Sequence, residues 1–370
     1  MSRVVFKDVV KRINVNVDRH NTERLYYVGG EHIDSSELLV TKRGLIEGST
    51  IGFKFHFGFE PGHILFMSRN PHLRKASMAT FSGICSDSTY VVESRDENVL
   101  LQKYLLLEMQ SDRFWEWAEA NKSGGVNYLI NYKTLDTYEF ELPSLSEQKV
   151  LAEKLWAAYE VKQSYLKMIE ATEEMVKSQF VEMFKDKGYP LAMIKSFADV
   201  STGGTPSKAH PEYWNGDKPW VSAEDMKSKY VYDTCEKVTE AGYATCKIIP
   251  VDTLMYVCRG SIGVMAINKI ECATNQSICR ATCHNNVCNV EFLYHALMYQ
   301  RDNIKKKGTG TSFKSLNQTT FSELEIELPP YDEQMKFVTI AEQADKSISE
   351  LRKSVDAIDK VIKSLINENL

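Results

Sequence analysis

Four cysteines and a histidine crowd one short stretch: Cys272, Cys279, Cys283, His284 and Cys288. Thiolates and imidazoles are the ligands of structural zinc, which needs four of them in a closed set. The gaps between the cysteines are six, three and four residues, with no Cys-x-x-Cys pair, so the spacing of a zinc finger is missing. The run Ser277-Ile-Cys279-Arg-Ala-Thr-Cys283 alternates, which equally lets the thiols serve as small apolar side chains on a strand. A second candidate is the loop Gly203-Gly204-Thr205-Pro206-Ser207-Lys208. It has the glycines and lysine of a phosphate cradle but not the GxxxxGK[ST] spacing, and no helix pattern follows it directly. The backbone amides, Thr205, Ser207 and Lys208 better suit a single phosphate of a nucleic-acid backbone.

Leu328-Pro-Pro-Tyr331 differs from the Asn/Asp-Pro-Pro-Tyr motif of amino-group DNA methyltransferases at the residue that matters. There a polar side chain holds the target amino group, and Leu328 has none. No glycine-rich adenosylmethionine motif accompanies it. Glu147-Gln-Lys149 carries the Glu-x-Lys of some nucleases without an upstream partner, and its copy Glu333-Gln-Met335 loses the lysine. The histidines and serines form no nucleophile–base set, so no catalytic residue is assigned. What remains are cationic, polar loops. Ser68 to Lys75 offers Arg69, Asn70, His72, Arg74 and Lys75 after a predicted strand; Lys305 to Lys314 offers Lys306, Lys307, Thr309, Thr311, Ser312 and Lys314. Lys42, Arg43 and Asn127 in the first half, and Arg259, Asn275 and Gln276 in the second, extend the two sets. Lysines and hydroxyls suit phosphates, whereas Arg, Asn and Gln suit base edges. Any one such loop is equally explained as solvated surface; a matching set in each half favours DNA.

The elements that must hold these loops are built twice. Leu142-Pro143-Ser-Leu-Ser-Glu147-Gln148 returns as Leu328-Pro329-Pro-Tyr-Asp-Glu333-Gln334, an offset of 186 (328 − 142). Over residues 124–148, nine of 25 positions are identical at that offset, which marks a duplicated domain-plus-helix unit rather than a solenoid. An alternating run precedes each copy and predicts a strand with one buried face. Ser144 and Glu147 are spaced as a capping box, so a helix is predicted to begin there. The second long helix repeats apolar residues at 4-3 spacing: Phe337, Ala341, Ala344, Ile348, Leu351, Val355, Ile358, Ile362 and Leu365. Shifted back, the first reads Leu151, Leu155, Ala158, Lys162, Tyr165, Ile169, Thr172, Val176 and Gln179, a seam broken by polar residues. Such a repeat predicts coiled-coil pairing, with Leu151, Leu155, Ile169 and Val176 facing Ala344, Ile348, Leu351, Val355, Ile358 and Ile362. Roughly 35 helical residues would span about 50 Å.

The expected organisation is a first globular domain over 1–143, a helix over 144–185, a second domain over 186–329 and a helix over 330–370. Phe53, Phe55, Phe57 and Phe59 alternate and are expected on one strand face as core; a base-stacking platform is the alternative. A helix is expected at about 97–120. The chain has 370 residues, 43% hydrophobic and 26% charged, with a net charge of −5. That is the composition of a water-soluble globular protein, and the negative charge argues against a chain that binds nucleic acid over its whole surface. No apolar stretch approaches a membrane span. Eight cysteines without a secretory signal point to reduced thiols in the cytoplasm.

With these residues in view, the chain resembles the DNA-specificity subunits of type I restriction–modification systems. The second half carries the likeness through Gly203-Gly-Thr-Pro-Ser, Glu212-Tyr-Trp214, Pro219-Trp220-Val221, Asp225-Met226, Asn275-Gln276 and Leu328-Pro-Pro with Glu333-Gln334. The first half carries it through Ile64 to Lys75, Gly83-Ile-Cys-Ser86 and Leu142-Pro with Glu147-Gln148. The resemblance implies an α+β fold with two mixed α/β target-recognition domains in pseudo-twofold arrangement, separated by two long antiparallel coiled-coil spacer helices. It implies that each domain reads half of a bipartite, asymmetric double-stranded DNA site and that the spacers dock two methyltransferase subunits. Adenosylmethionine, ATP and magnesium would then sit on the methyltransferase and restriction/translocase partners, with no cofactor or metal on this chain. Two other readings are carried alongside: a coiled-coil assembly scaffold, and a zinc-dependent enzyme using Cys272–Cys288.

Overall fold

The computed structural model describes residues 2–125, 128–307 and 316–369. They form two compact units, Met1–Lys167 with Arg352–Leu370, and Met168–Leu351. Each unit holds one globular domain and a stretch of both long helices.

In the first unit, strands Val10–Ile13, Thr89–Ser94, Ile64–Met67, Ala76–Ala79 and Leu39–Val40 line up in that order, antiparallel except for the last pair. Phe66, Val92 and Ile64 on this sheet share a core with Leu105, Phe114, Trp115 and Tyr138. A second five-stranded sheet contains Phe55–Phe59, Gly83–Ser86 and Tyr26–Val28. Only three of the four alternating phenylalanines lie on its strand. Phe53 sits on the preceding turn, 77% exposed, so the expected four-ring face is shorter by one. The helix expected at 97–120 is two, Gln102–Gln110 and Asp112–Ala120. Ser111 breaks it: its backbone is extended, and its hydroxyl accepts from Phe114 N–H at 3.1 Å as an N-cap.

The second unit repeats the plan. Ala198–Thr202, Ile278–Cys283, Leu254–Val257, Met265–Asn268 and Tyr230–Val231 line up with the same strand directions, the last pair again parallel. Strand Glu325–Glu327 pairs with Leu191–Met193 as Glu139–Leu142 pairs with Ser2–Val5. One element departs from expectation: Lys305 to Lys307, expected to open a loop, close the helix Val290–Lys307.

The long helices run Leu145–Phe184 and Tyr331–Asn369, 40 and 39 residues, or about 60 Å each at 1.5 Å per residue. Ser144 N–H donates to Glu147 at 2.9 Å, closing the predicted capping box. In the first unit Leu155, Tyr159, Ile362 and Ile366 are buried in one cluster, with Leu151, Ile358 and Leu365 against it. The two helices are antiparallel there, since Lys162 meets Asp359 while Leu365 lies beside Val150, Leu151 and Lys154. In the second unit Val176, Phe180, Ala341 and Ala344 share a cluster, and Phe337 packs on Phe180 and Phe184 at 5.3 and 5.7 Å. Ile169 and Val355 are buried, whereas Ile348 and Leu351 are half-buried. The seam of the first helix differs from the simple shift: Tyr159 and Phe180 are buried with Leu155, Lys162, Ile169 and Val176, where Ala158 and Gln179 are half-buried, and Tyr165 and Leu166 are half-buried alike. The polar break at Lys162 is real and buried.

Candidate functional site

In the second unit the loops that the sequence singles out gather at one end of the five-stranded sheet; in the first, the Ser68–Lys75 loop lies at the corresponding end, whereas Lys42 and Arg43 follow Leu39–Val40, which runs parallel to Ala76–Ala79 and leaves at the opposite end. In the first, Ser68 N–H donates to Ser88 C=O at 2.8 Å, tying the turn after strand Ile64–Met67 to the turn before Thr89–Ser94. In the second, Cys258 N–H donates to Ser277 C=O at the same 2.8 Å between the corresponding turns. The next residue is an exposed arginine both times, Arg69 and Arg259. Topology thus places two candidate arginines at equivalent points, a match that their separate loops did not reveal in sequence.

In the first unit Asn70 and Arg74 adopt positive φ, 54° and 50°, and Asn70 N–H donates to Tyr128 C=O at 2.9 Å. Arg74 is engaged inward by an ion pair to Asp112, and Lys75 donates to Gly30 C=O at 2.6 Å. These two cations hold the loop's shape, which leaves Arg69 and His72 as its outward groups. Lys42 pairs with Asp34 at 2.8 Å, and Arg43 stacks on Tyr26 at 3.9 Å.

In the second unit the Gly203–Lys208 loop packs against Asn275 and Gln276. Gly204 N–H donates to Thr274 C=O at 2.8 Å and Trp220 Nε1–H to Gly204 C=O at 3.0 Å. Thr205 and Gln276 share a side-chain hydrogen bond. Glycine is required at 203, because a Cβ there would lie 2.1 Å from Thr274 C=O. Asn275 spends its carbonyl on Ser277 N–H and Oγ–H, at 3.0 and 2.7 Å. Ser207 Oγ accepts from Ala209 N–H at 3.3 Å, and Lys208 lies 5.8 Å over the Trp214 ring. Asn127, Thr309, Thr311, Ser312 and Lys314 fall outside the described residues, as do the side chains of Lys306 and Lys307.

The cysteines form no closed ligand set. Cys272 lies in a core cluster with Val221, Met255 and Ile278, while Cys279 and Cys288 belong to another with Leu254 and Phe292, against which Cys283 packs, hydrogen-bonded to Cys288. Burial pushes the Cys272 thiol up to about 12, which favours the protonated form over a thiolate ligand. His284 pairs with Asp199 at 3.2 Å. Among the described residues no three His, Cys, Asp or Glu side chains are grouped to hold a metal ion, and the core-thiol reading is the one the geometry supports.

Arg280 lies outside the set of residues predicted from the sequence. It is 1% exposed on strand Ile278–Cys283 and donates to Ser201 and Thr202 at the base of the Gly203–Lys208 loop. Its signal in the sequence is a charge in the middle of an alternating apolar strand.

A family model described as the type I restriction modification DNA specificity domain matches residues 22–169 and again 189–358. The chain belongs to this family. The specificity-domain matches coincide with the two repeated halves. The chain is 29% identical over 201 residues to the type I restriction enzyme MjaIX specificity subunit of Methanocaldococcus jannaschii, covering 50% of this chain and 46% of that protein. It is 32% identical over 152 residues to the EcoR124I/EcoR124II specificity subunit of Escherichia coli, covering 39% and 37%. The matched stretch is thus less than half the length of either relative. The fold is that of a type I restriction–modification S subunit from M. genitalium, with TM-score 0.63, 16% identity and 100% and 96% of the chains covered. A chain solved in work on complex assembly and conformational transition of the type I R-M system gives TM-score 0.57 at 15% identity, covering 100% and 98%. No helix among the described residues is long and apolar enough to cross a membrane.

Proposed function

We propose that this chain is the DNA-reading subunit of a cytoplasmic type I restriction–modification complex. Each unit reads one half of a bipartite double-stranded DNA site through the loops at its sheet end, and the long helices dock two methyltransferase subunits. The observation that carries the reading is the duplication itself: Arg69 and Arg259 stand at equivalent turns, each held to a neighbouring turn by the same backbone hydrogen bond. An arginine at the rim of a rigid turn suits bidentate contact with a guanine edge or a phosphate. Adenine methylation, with its adenosylmethionine, and ATP-driven translocation and cleavage, with magnesium, belong to the partner subunits; this chain supplies address rather than chemistry. The relatives support that division, since they are themselves specificity subunits.

Mapping methylated adenine across the genome, with and without this gene, tests the reading. A bipartite motif that vanishes on deletion is the expected result. An unchanged methylome, together with no salt-sensitive, sequence-selective DNA binding by the purified complex, would leave the assembly scaffold as the better description.

A further inference from the structure

Arg280 is a buried cation with no carboxylate. Its Nη1 donates to Lys247 C=O at 2.7 Å, and its Nη2 donates to Ser201 Oγ at 2.9 Å and Thr202 C=O at 2.7 Å. Its Nε–H is buried without a partner, and no ion pair to it occurs among the described residues. A guanidinium taken out of water normally brings a counter-ion, because an uncompensated buried charge is costly. The other unit shows that the fold does not require it: by strand register Met255 faces Arg280 and Leu65 faces Val91, so the equivalent position there is an ordinary valine.

What Arg280 touches is the base of the Gly203–Lys208 loop. Ser201 and Thr202 lead directly into that loop, Gly203 N–H donates to Ile278 C=O at 3.3 Å, and Trp220 holds Gly204 from the other side. Resting on the DNA-reading function above, we propose that Arg280 is a positioning residue of the second unit, fixing the Gly203–Lys208 loop for a DNA phosphate whose charge balances its own. The guanidinium does not reach the ligand. The Gly203 and Gly204 N–H groups are spent on Ile278 and Thr274 C=O; Arg280 orders the later N–H groups of the loop and Lys208, which do reach it, and lends them positive potential through a dry interior, where a charge acts over longer distances than in water. Two ordered cations, one buried and one at the surface, then face one anion.

The test is DNA binding by the assembled complex carrying Arg280→Gln, followed by fluorescence anisotropy at several salt concentrations beside wild type, alongside thermal unfolding of the purified variant and the methylation map of cells whose only copy of the gene carries it. Glutamine keeps a donor for Lys247 C=O or Thr202 C=O and removes the charge. The expected result is a folded variant that binds cognate DNA about tenfold more weakly, with the salt dependence flattened by about one ion and the methylated motif unchanged, because a phosphate contact carries no base information. A merely structural role would lower the folded fraction and leave the salt slope of the folded complex as in wild type. An unchanged salt slope overturns the proposal. If Arg280→Gln does not accumulate as folded protein, Arg280→Lys decides: it keeps the charge but loses the two-pronged grip, and wild-type affinity with lysine would overturn the loop-positioning role. A wild-type map without any bipartite motif would instead sink the DNA-reading function on which the proposal rests.

Discussion

The two units share a strand order and a helix-start motif, yet they fix domain to helix with opposite charges. In the first unit Glu37 of the domain accepts from Tyr159 at 3.0 Å and Lys162 at 2.6 Å on the long helix, and Lys162 also pairs with Asp359 at 2.8 Å. In the second, Lys229 of the domain pairs with Asp345 of the helix at 2.6 Å and Glu291 at 2.8 Å, and reaches His295 at 3.1 Å. Asp345 is the copy of Tyr159 at the 186-residue offset (345 − 159), so the same position was kept and its polarity changed. Burial would pull the Lys162 ammonium down, but Asp359 and Glu37 outweigh it and hold it above its ordinary range. His295 is driven the other way, down to about 3, by burial and by the Lys229 charge beside it, so it stands neutral and can accept from that ammonium. The difference teaches that a duplicated joint tolerates either charge polarity as long as every buried charge finds a partner.

The largest effect should come from breaking the more buried joint. Lys229→Met leaves Glu291, whose side chain is 5% exposed, with Lys269 at 3.7 Å in place of Lys229 at 2.8 Å, and leaves Asp345 with the Tyr230 hydroxyl at 2.8 Å; a loss of about 3 kcal/mol is expected, the lower end of the cost of breaking a buried pair. Lys162→Met leaves Glu37 and Asp359, 29% and 46% exposed, to be solvated by water, and should cost about 1–2 kcal/mol after allowing for screening. Denaturant unfolding of the two variants, with hydrogen exchange to locate the loosened unit, checks the order. Equal losses would mean that exposure of the partners does not set the cost.

Much of this was legible in the sequence because duplication prints the same constraint twice. The Glu-Gln pair after each Leu-Pro was readable as a helix start, and the alternation of Tyr138-Glu-Phe140-Glu-Leu142 gave a strand. What could not be read was tertiary. Lys162 looked like a flaw in an apolar seam, since its partners Glu37 and Asp359 lie 125 and 197 positions away (162 − 37; 359 − 162). Arg74 and Lys75 looked as free as Arg69, because nothing local distinguishes a cation pointing at Asp112 from one pointing at solvent. Ser111 split a helix that periodicity alone ran straight through. The equivalence of Arg69 and Arg259 needed strand pairing, since their offset is 190 (259 − 69) rather than 186.

Where the two units agree, equal losses are expected. Gln148, with 0% exposure, donates from Nε2 to Val99 C=O at 2.9 Å and Pro143 C=O at 3.0 Å, and accepts from Leu101 N–H at 2.9 Å. Gln334, also 0% exposed, does the same with Val287 and Pro329 C=O and Asn289 N–H, each at 2.9 Å. Each glutamine satisfies three backbone groups where the turn before a domain helix, Gln102–Gln110 or Val290–Lys307, meets the start of the long helix. Gln148→Leu and Gln334→Leu should each cost about 2–3 kcal/mol, the penalty for leaving such groups unpaired. Calorimetry of the two single variants would break the symmetry argument if one were neutral and the other severe.

The smallest effects on the fold, and the sharpest on recognition, should fall at the paired turns. Arg69→Ala and Arg259→Ala remove exposed side chains and should leave unfolding within about 0.5 kcal/mol of wild type. Each should weaken cognate-DNA binding by the assembled complex by about 1–3 kcal/mol if the arginine meets a base edge, with specificity relaxed only in its own half of the site. Arg74→Ala should instead lower stability and affect DNA indirectly, because its guanidinium is committed to Asp112. Fluorescence anisotropy at several salt concentrations separates these cases: a phosphate contact flattens the salt dependence by about one ion, whereas a base contact leaves the slope nearly unchanged. Wild-type affinity in both arginine variants would remove the two turns from the interface and shift the search to the neighbouring loops of the same sheet ends.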